Sequence, residues 1–346
     1  MGTDAGLAQR PGRLAIRPRL RRPPRGRRVS ERKRVEVAAA VITRSDGSFL
    51  LGQRAPGTFY PGYWEFPGGK VEPGEDARAA LVRELDEELG IRAEACWPWL
   101  VREYDYEHAH VRLNFFEVPE WSGDVNDHVH SALSWQRADV LTVAPMLPAN
   151  APVLKALRLP RRMGVTDAAG LGIGVQLAAL ERALAAGLRL VQLRDGGLAA
   201  EDRRRLALSV IDRCRGHGAL MVVNGDAELA RAVGADGLHL PSAELAGAAS
   251  RPDFEWVGAS CHDRAELEQA ARLGLDYALL GHVAPTPSHP GQPALGWPRF
   301  AELVADLPLP VFAIGGIGAA DMGTARAAGA HGIAAIRATW AAPALG

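Results

Sequence analysis

Cysteine is nearly missing from this chain: Cys96, Cys214 and Cys261 are the three it has. An odd count at wide spacing excludes a disulfide framework and a cysteine zinc site, and fits a reducing, cytoplasmic setting. Long apolar runs are missing too. None approaches the roughly 20 residues of a spanning helix, so no membrane partner is expected. The first residues lack an apolar stretch with a small-residue cleavage site, so they do not read as a secretory leader. Net charge is also absent, because 40 basic residues meet 40 acidic ones. The balance is uneven. Residues 1–34 carry twelve Arg or Lys against Asp4 and Glu31, which leaves 28 basic and 38 acidic residues in the body. A net-acidic body speaks against a broad nucleic-acid surface, and no stable nucleic-acid partner is expected. The Arg/Pro-rich tail, residues 1–34, reads as disordered, with a basic arm or a transit segment as alternatives.

What is present divides into two rhythms. Residues 35–43 (VEVAAAVIT) and 49–53 read as strands around a Ser45-Asp46-Gly47 turn, together a hairpin. A Gly/Pro-rich loop follows, then a helix over 76–89 with Gly90 as its stop. Strands are expected at 97–106, 111–118 and 133–137, and a short helix at 148–157. Residues 159–162 read as a linker. Beyond it, eight short apolar strands begin near 163, 188, 220, 237, 256, 277, 311 and 332, separated mostly by Ala/Leu-rich helices. The helix after the fourth strand is the weakest. The fold class is α/β, and eight βα units in about 180 residues predict a (β/α)₈ TIM barrel.

Residues 69–91 read GKVEPGEDARAALVRELDEELGI. Glu84, Glu87 and Glu88 stand at i, i+3 and i+4, so a helix projects them from one side, beside a Leu81/Leu85/Leu89 stripe. Like charges on adjacent turns repel by about 0.2–0.5 kcal/mol per pair. A cation among them removes that penalty, and an all-oxygen donor set suits Mg²⁺ or Mn²⁺. The Gly68-Gly69 loop lets backbone approach closely because no Cβ intervenes. The alternative is a solvated acidic face balanced by Arg78 and Arg83.

Gly69, Glu75, Arg83-Glu84-Leu85, Glu87-Glu88, Gly90 and Ile91 match every fixed position of the Nudix signature, and residues 35–158 resemble a Nudix hydrolase, an α/β/α sandwich. The resemblance implies Mg²⁺-dependent hydrolysis of a nucleoside triphosphate or similar diphosphate. It makes Glu84 the base or a bridging ligand, with Glu87, Glu88 and backbone at Gly68 as further metal contacts. Arg83 orients Glu84 or pairs with Glu75.

More specifically, Arg54, Trp64-Glu65-Phe66-Pro67-Gly68-Gly69, Glu103-Tyr104, Trp135 and Leu147-Pro148-Ala149-Asn150 resemble the MutT-type 8-oxo-dGTP diphosphatases. That implies conversion of 8-oxo-dGTP to 8-oxo-dGMP and diphosphate, a nucleotide-pool function that limits DNA damage. The implied substrate contacts are Arg54, Glu65, Phe66, Pro67, Gly68 and Asn150. Asn150 would hydrogen-bond the base; alternatively it caps the helix that follows, with Pro152 in the first turn. Phe66 lines the base pocket or sits in the core. Two positions depart from the pattern. Val129 stands where an acidic metal ligand is common, with Asp127 or His128 as substitutes, and Ala109 replaces a substrate-contacting Arg. Another nucleoside or thiamin-related diphosphate is the alternative substrate.

Residues 163–343 resemble thiamine phosphate synthase and the thiazole tautomerase TenI through Gln192-Leu193-Arg194, Val223-Asn224, Asp236-Gly237-Leu238-His239, Gly258-Ala259-Ser260, Pro285-Thr286 and Ala313-Ile314-Gly315-Gly316-Ile317. The resemblance implies a phosphorylated thiazole or thiamin-related ligand, held by Ser260 and a Gly315-Gly316 phosphate cradle. His262 matches the tautomerase's catalytic His, and His239 reads as a buried structural His. Charges that the synthase needs are missing: Gly196 replaces a Lys, Gly225 a metal-binding Asp, and Ser288-His289 a Thr-Lys pair. A barrel that binds a ligand or regulates its neighbour is therefore the alternative to a catalytic one.

Overall fold

The computed structural model describes residues 34–287 and 290–341. The basic tail up to residue 33 and Ser288-His289 lie outside the described residues. The N-terminal half contains β1 (Arg34–Ile42), β2 (Phe49–Gln53), β3 (Trp64–Glu65), α1 (Ala77–Leu89), β4 (Arg92–Asp105), β5 (His110–Ser122), β6 (Ala132–Gln136) and α2 (Ala151–Leu157). They form two three-stranded sheets, ordered β1-β5-β4 and β3-β2-β6. Period-two alternation decides which side each residue serves. Ala38, Ala40, Ile42 and Leu50 face Leu81, Leu85 and Leu89 of α1. Ala39, Val41, Phe49 and Leu51 face Val153 and Leu154 of α2. The sheets are thus covered on both faces, an α/β/α sandwich.

The expected hairpin of the first two strands does not form. A single bridge joins Thr43 to Phe49, and β1 then pairs in parallel with β5. The other edge of β1 is taken by the loop before α1: Ala38 N–H donates to Gly69 O at 2.9 Å, Ala40 N–H to Pro67 O at 2.8 Å, and Val71 N–H to Glu36 O at 2.9 Å. With that edge occupied, β2 turns away to β3 and β6. The same pairing holds the Gly68-Gly69 loop against the sheet. A Cβ on Gly68, whose φ is +138°, would lie 2.2 Å from Ala38 O.

The C-terminal half is a closed barrel of eight parallel strands. They are β7 (Arg162–Val165), β8 (Leu190–Leu193), β9 (Leu220–Asn224) and β10 (Gly237–Leu240), followed by β11 (Trp256–Cys261), β12 (Tyr277–Gly281), β13 (Val311–Ile314) and β14 (Gly332–Ala335). The helix after the fourth barrel strand spans only Ser242–Gly247. Met163, Val165, Leu190, Val222, Trp256, Tyr277, Leu279 and Phe312 fill the barrel interior, as inward positions of a small barrel do.

The halves meet at the N-terminal ends of the barrel strands. Val101 N–H donates to Leu307 O at 3.0 Å, Arg112 pairs with Asp306 at 2.6 Å, and Lys155 pairs with Asp276 at 2.5 Å. The segment between the halves is packed: Leu159 is buried and Arg161 bonds to Glu117. Among the described residues no helix is long and apolar enough to cross a membrane.

Candidate active site and barrel cavity

Helix α1 begins where Asp76 caps it, accepting from Arg78 N–H and Ala79 N–H, and ends at Gly90 in the left-handed region at φ 66°. Nearly two turns in, Arg83 organises the acidic face. Its Nε and Nη2 donate to both oxygens of Glu75 at 3.1 and 3.0 Å, and Nη1 donates to Glu84 at 2.9 Å and Glu87 at 3.3 Å. Bonds from Glu75 and then Glu84 raise the guanidinium pKa further, so Arg83 stays charged. Both expected partners of Arg83 are therefore engaged at once.

The three helix carboxylates do not share one environment. Glu84 lies against the glycine loop: a Cβ on Gly69 would be 2.1 Å from Glu84 Cδ. Glu88 is half-buried, and its pKa is pushed up to about 7, first by burial and then by the charges of Glu84 and Glu65, with a Gly68 backbone hydrogen bond opposing. Its Oε2 is buried without a partner. Glu87, with a side chain 60% exposed, faces outward. Among the described residues no three acidic or imidazole groups already converge on one point. Glu84, Glu88 and the Gly68-Gly69 backbone nevertheless suit a divalent cation. The orphaned carboxylate oxygen and mutual repulsion are what a cation would relieve.

Around this centre Arg54 donates to both oxygens of Glu65 at 2.7 Å and to Phe59 O at 2.6 Å. Burial raises the Glu65 pKa and Arg54 opposes the rise. Pro67 and Gly68 form the wall beside β1. Phe66 is buried, packed on Phe49 and Phe115 with ring centroids 5.7 Å from each. Asn150 stands at the N-cap position of α2 with Pro152 in the first turn, but its side chain makes no cap hydrogen bond. It is 2% exposed and its Nδ2 has no partner.

In the loop at the departing register, Val129 is half exposed. Asp127 accepts from Val129 N–H and His130 N–H at 3.2 and 2.7 Å, and His128 faces Glu87 O at 3.1 Å. The residue that sequence reasoning missed is His130. Its ring occupies the space over Gly52, where a Cβ would come within 2.2 Å. Its Nδ1 is buried without a hydrogen bond. Gly52 pairs with Glu65, so the ring stands next to the Arg54–Glu65 pair. A glycine inside an otherwise apolar strand was the available signal.

The barrel holds a second candidate site, a cavity of about 760 Å³ at the C-terminal ends of its strands. Ser260, His262, Gly315 and Gly316 all line it, with Arg194, Asn224 and Arg337. No carboxylate stands among its described lining residues. Gly315 and Gly316 have φ of 98° and 71°, and a Cβ on either would strike the His282 or Ala284 backbone. His262 follows β11 at the rim, its Nδ1 3.1 Å from Glu266 Oε2; Glu266 was not foreseen. Glu244 faces Gly225, where a Cβ would be 3.1 Å from its Oε1.

Residues 32–157 match the NUDIX domain family and residues 164–339 match the thiamine monophosphate synthase family. A protein described as CTP pyrophosphohydrolase, from Escherichia coli (strain K12), is 43% identical over 39% of this chain and 99% of its own length. The thiamine-phosphate synthase of Chromobacterium violaceum is 44% identical over 44% of this chain and 76% of its own. The solved MutT NUDIX hydrolase from Burkholderia pseudomallei is 31% identical over 36% of this chain and 97% of that one, with a TM-score of 0.32. The chain is thus a fusion: an N-terminal Nudix hydrolase domain precedes a barrel by which it belongs to the thiamine monophosphate synthase family.

Proposed function

We propose that the N-terminal half hydrolyses a nucleoside triphosphate to its monophosphate and diphosphate in the cytoplasm, with Mg²⁺ or Mn²⁺. The observation that carries this reading is the pair Glu84 and Glu88, folded onto the Gly68-Gly69 backbone with one Glu88 oxygen buried and unpartnered. Glu84, Glu88 and the Gly68 backbone would hold a divalent cation, with Glu87 kept on Arg83 at the outer face; the cation would supply charge neutralisation on the phosphates and a lowered pKa for attacking water. Arg83 holds Glu84 in place by its hydrogen bond. Glu84 then takes the proton of the water that attacks phosphorus, and the phosphoanhydride P–O bond breaks to release diphosphate.

Asn150 is the base-recognition group in this reading. A buried amide with an idle N–H pair suits an acceptor on a base edge, and its carbonyl can accept in turn. That chemistry fits a cytosine edge as well as an oxidised purine. Similarity to a protein described as CTP pyrophosphohydrolase favours CTP, and Ala109 in place of an Arg weakens the case for strict 8-oxo-dGTP cleavage. The MutT-type resemblance keeps 8-oxo-dGTP as the second reading. Parallel kcat/KM measurements with CTP, 8-oxo-dGTP, dGTP and thiamin diphosphate test both. CTP should lead; 8-oxo-dGTP exceeding both CTP and dGTP transfers the assignment to the second reading. Turnover of thiamin diphosphate alone refutes a nucleotide substrate.

For the barrel, a phosphorylated thiazole or related thiamin-type ligand fits the cavity best. Two guanidinium groups and paired glycines line it without a carboxylate, so the cavity suits an anion and not a protein-bound metal–diphosphate complex. His262, oriented by Glu266, would move a proton on that ligand. Isotope exchange into a thiazole carboxylate phosphate, lost in His262→Ala, is the expected result; unchanged exchange removes His262 from catalysis.

A further inference from the structure

Three side chains from adjacent barrel strands form one line of hydrogen bonds. Tyr277 OH lies 3.2 Å from His239 Nδ1, and His239 Nε2 lies 2.9 Å from Ser260 Oγ. Each occupies an inward position of its strand. The Tyr277 ring lies across Gly258, where a Cβ would come within 2.1 Å of it. Tyr277 and His239 are fully buried, whereas Ser260 stands in the cavity wall.

The direction of the hydrogens follows from counting donors. The Tyr277 phenol carries one hydrogen, and among the described residues His239 Nδ1 is its hydrogen-bonding partner. A buried donor without an acceptor carries its full desolvation penalty, so the phenol donates to Nδ1. A neutral imidazole that accepts at Nδ1 bears its hydrogen on Nε2, and Nε2 therefore donates to Ser260 Oγ. The serine's own hydrogen is left to point into the cavity. The reverse polarity, Ser260 to His239 to Tyr277, strands the phenol hydrogen in a dry interior. Burial, with Arg194 as the lesser cause, pushes the His239 pKa down to about 3, so the ring stays neutral.

We propose that Tyr277 and His239 are positioning residues that lock the Ser260 hydroxyl as a donor, so that this wall of the cavity selects a ligand presenting an acceptor atom, a phosphate or carboxylate oxygen. His239 is then not a base for Ser260, and Ser260 is not a nucleophile. The selection rests on the reading that the cavity takes an anionic ligand; the hydrogen polarity does not.

Nitrogen-15 NMR of histidine-labelled full-length protein reads the polarity without any ligand. His239 should be neutral with hydrogen on Nε2, and Tyr277→Phe should release it into a mixture of tautomers. Hydrogen on Nδ1 in the unaltered protein overturns the proposal. Titration with inorganic phosphate, followed at the Gly315 and Gly316 amides, reads the selection. Ser260→Ala should weaken binding about tenfold and Tyr277→Phe at least threefold. Unchanged affinity in Ser260→Ala overturns the donor role. If phosphate fails to shift those amides in the unaltered protein while the Nε2 tautomer is seen, the anion reading falls and the polarity stands.

Discussion

The carboxylate of Glu117, in strand β5, accepts from Arg161 at the entrance to the first barrel strand. Arg326 reaches the other Glu117 oxygen at 3.0 Å from the far side. Glu117 is 1% exposed, and Arg161 also donates to His331 Nδ1 at 2.9 Å. Trp97 and Trp99 close over the two guanidiniums, 4.6 and 5.1 Å from the ring centroids. This cluster lies at the N-terminal end of the barrel, whereas the cavity opens at the other end. The two sites therefore do not share a chamber.

Removing Glu117 leaves two cations facing each other at a packed junction. Breaking a buried pair commonly costs about 3–5 kcal/mol, and Glu117→Ala should fall near the lower figure because both guanidiniums retain some solvent contact. Denaturant unfolding followed by tryptophan fluorescence should show an earlier transition, with the two halves losing their common midpoint. A change below about 0.5 kcal/mol would mean the junction is held by its apolar and backbone contacts alone.

Gly69→Ala tests the fit between loop and helix. The added methyl would lie 2.3 Å from both Glu84 oxygens, and a carboxylate at the end of a flexible side chain can swing aside. Stability should change by less than about 1 kcal/mol while kcat drops at least tenfold, because a displaced base loses its alignment. Full activity in Gly69→Ala would show that Glu84 does not work from this position.

Much of this arrangement is legible in the amino-acid order, and the part that is not has a physical reason. The helix of residues 77–89, its Gly90 stop and the eight barrel strands follow from local periodicity and turn chemistry, which nearby residues decide. The partner of β1 does not, because parallel pairing with β5 joins residues 76 positions apart, as Arg34 with His110. Likewise the i, i+3, i+4 spacing places Glu84, Glu87 and Glu88 on one side, but cannot say that Gly69 admits Glu84 inward while Arg83 draws Glu87 outward. A contact across the fold likewise hid His130, whose ring sits over Gly52, whereas Glu266 lies four residues after His262 and was within reach of local helix spacing.

Asn150 should separate stability from function. Its side chain forms no cap bond and leaves Nδ2 buried without a partner, so Asn150→Ala removes an unsatisfied donor along with some packing. Unfolding free energy should change by less than about 1 kcal/mol, smaller than the loss typical of a true cap residue. KM for the preferred nucleotide should rise at least tenfold, since a missing base contact weakens discrimination. A clear loss of stability with KM unchanged would make Asn150 a structural residue.

Two buried histidines predict a pH dependence of folding. Burial holds the His239 pKa down to about 3 and depresses that of His331, where Arg161 adds to the effect. His331 donates from Nε2 to Leu159 O at 2.9 Å and accepts at Nδ1 from Arg161, so a second ring proton would point at a cation. Both rings stay neutral in the folded state and bind a proton in the unfolded chain below about pH 6.5. Their contribution is therefore complete above that pH and is lost as pH falls below it, at about 1.4 kcal/mol per pH unit for each ring. Urea unfolding between pH 7.5 and 5 should show that decline. His331→Asn should start from a lower stability at pH 7.5 and lose one ring's share of the slope. Equal slopes in the two proteins would mean His331 is already protonated in the folded state.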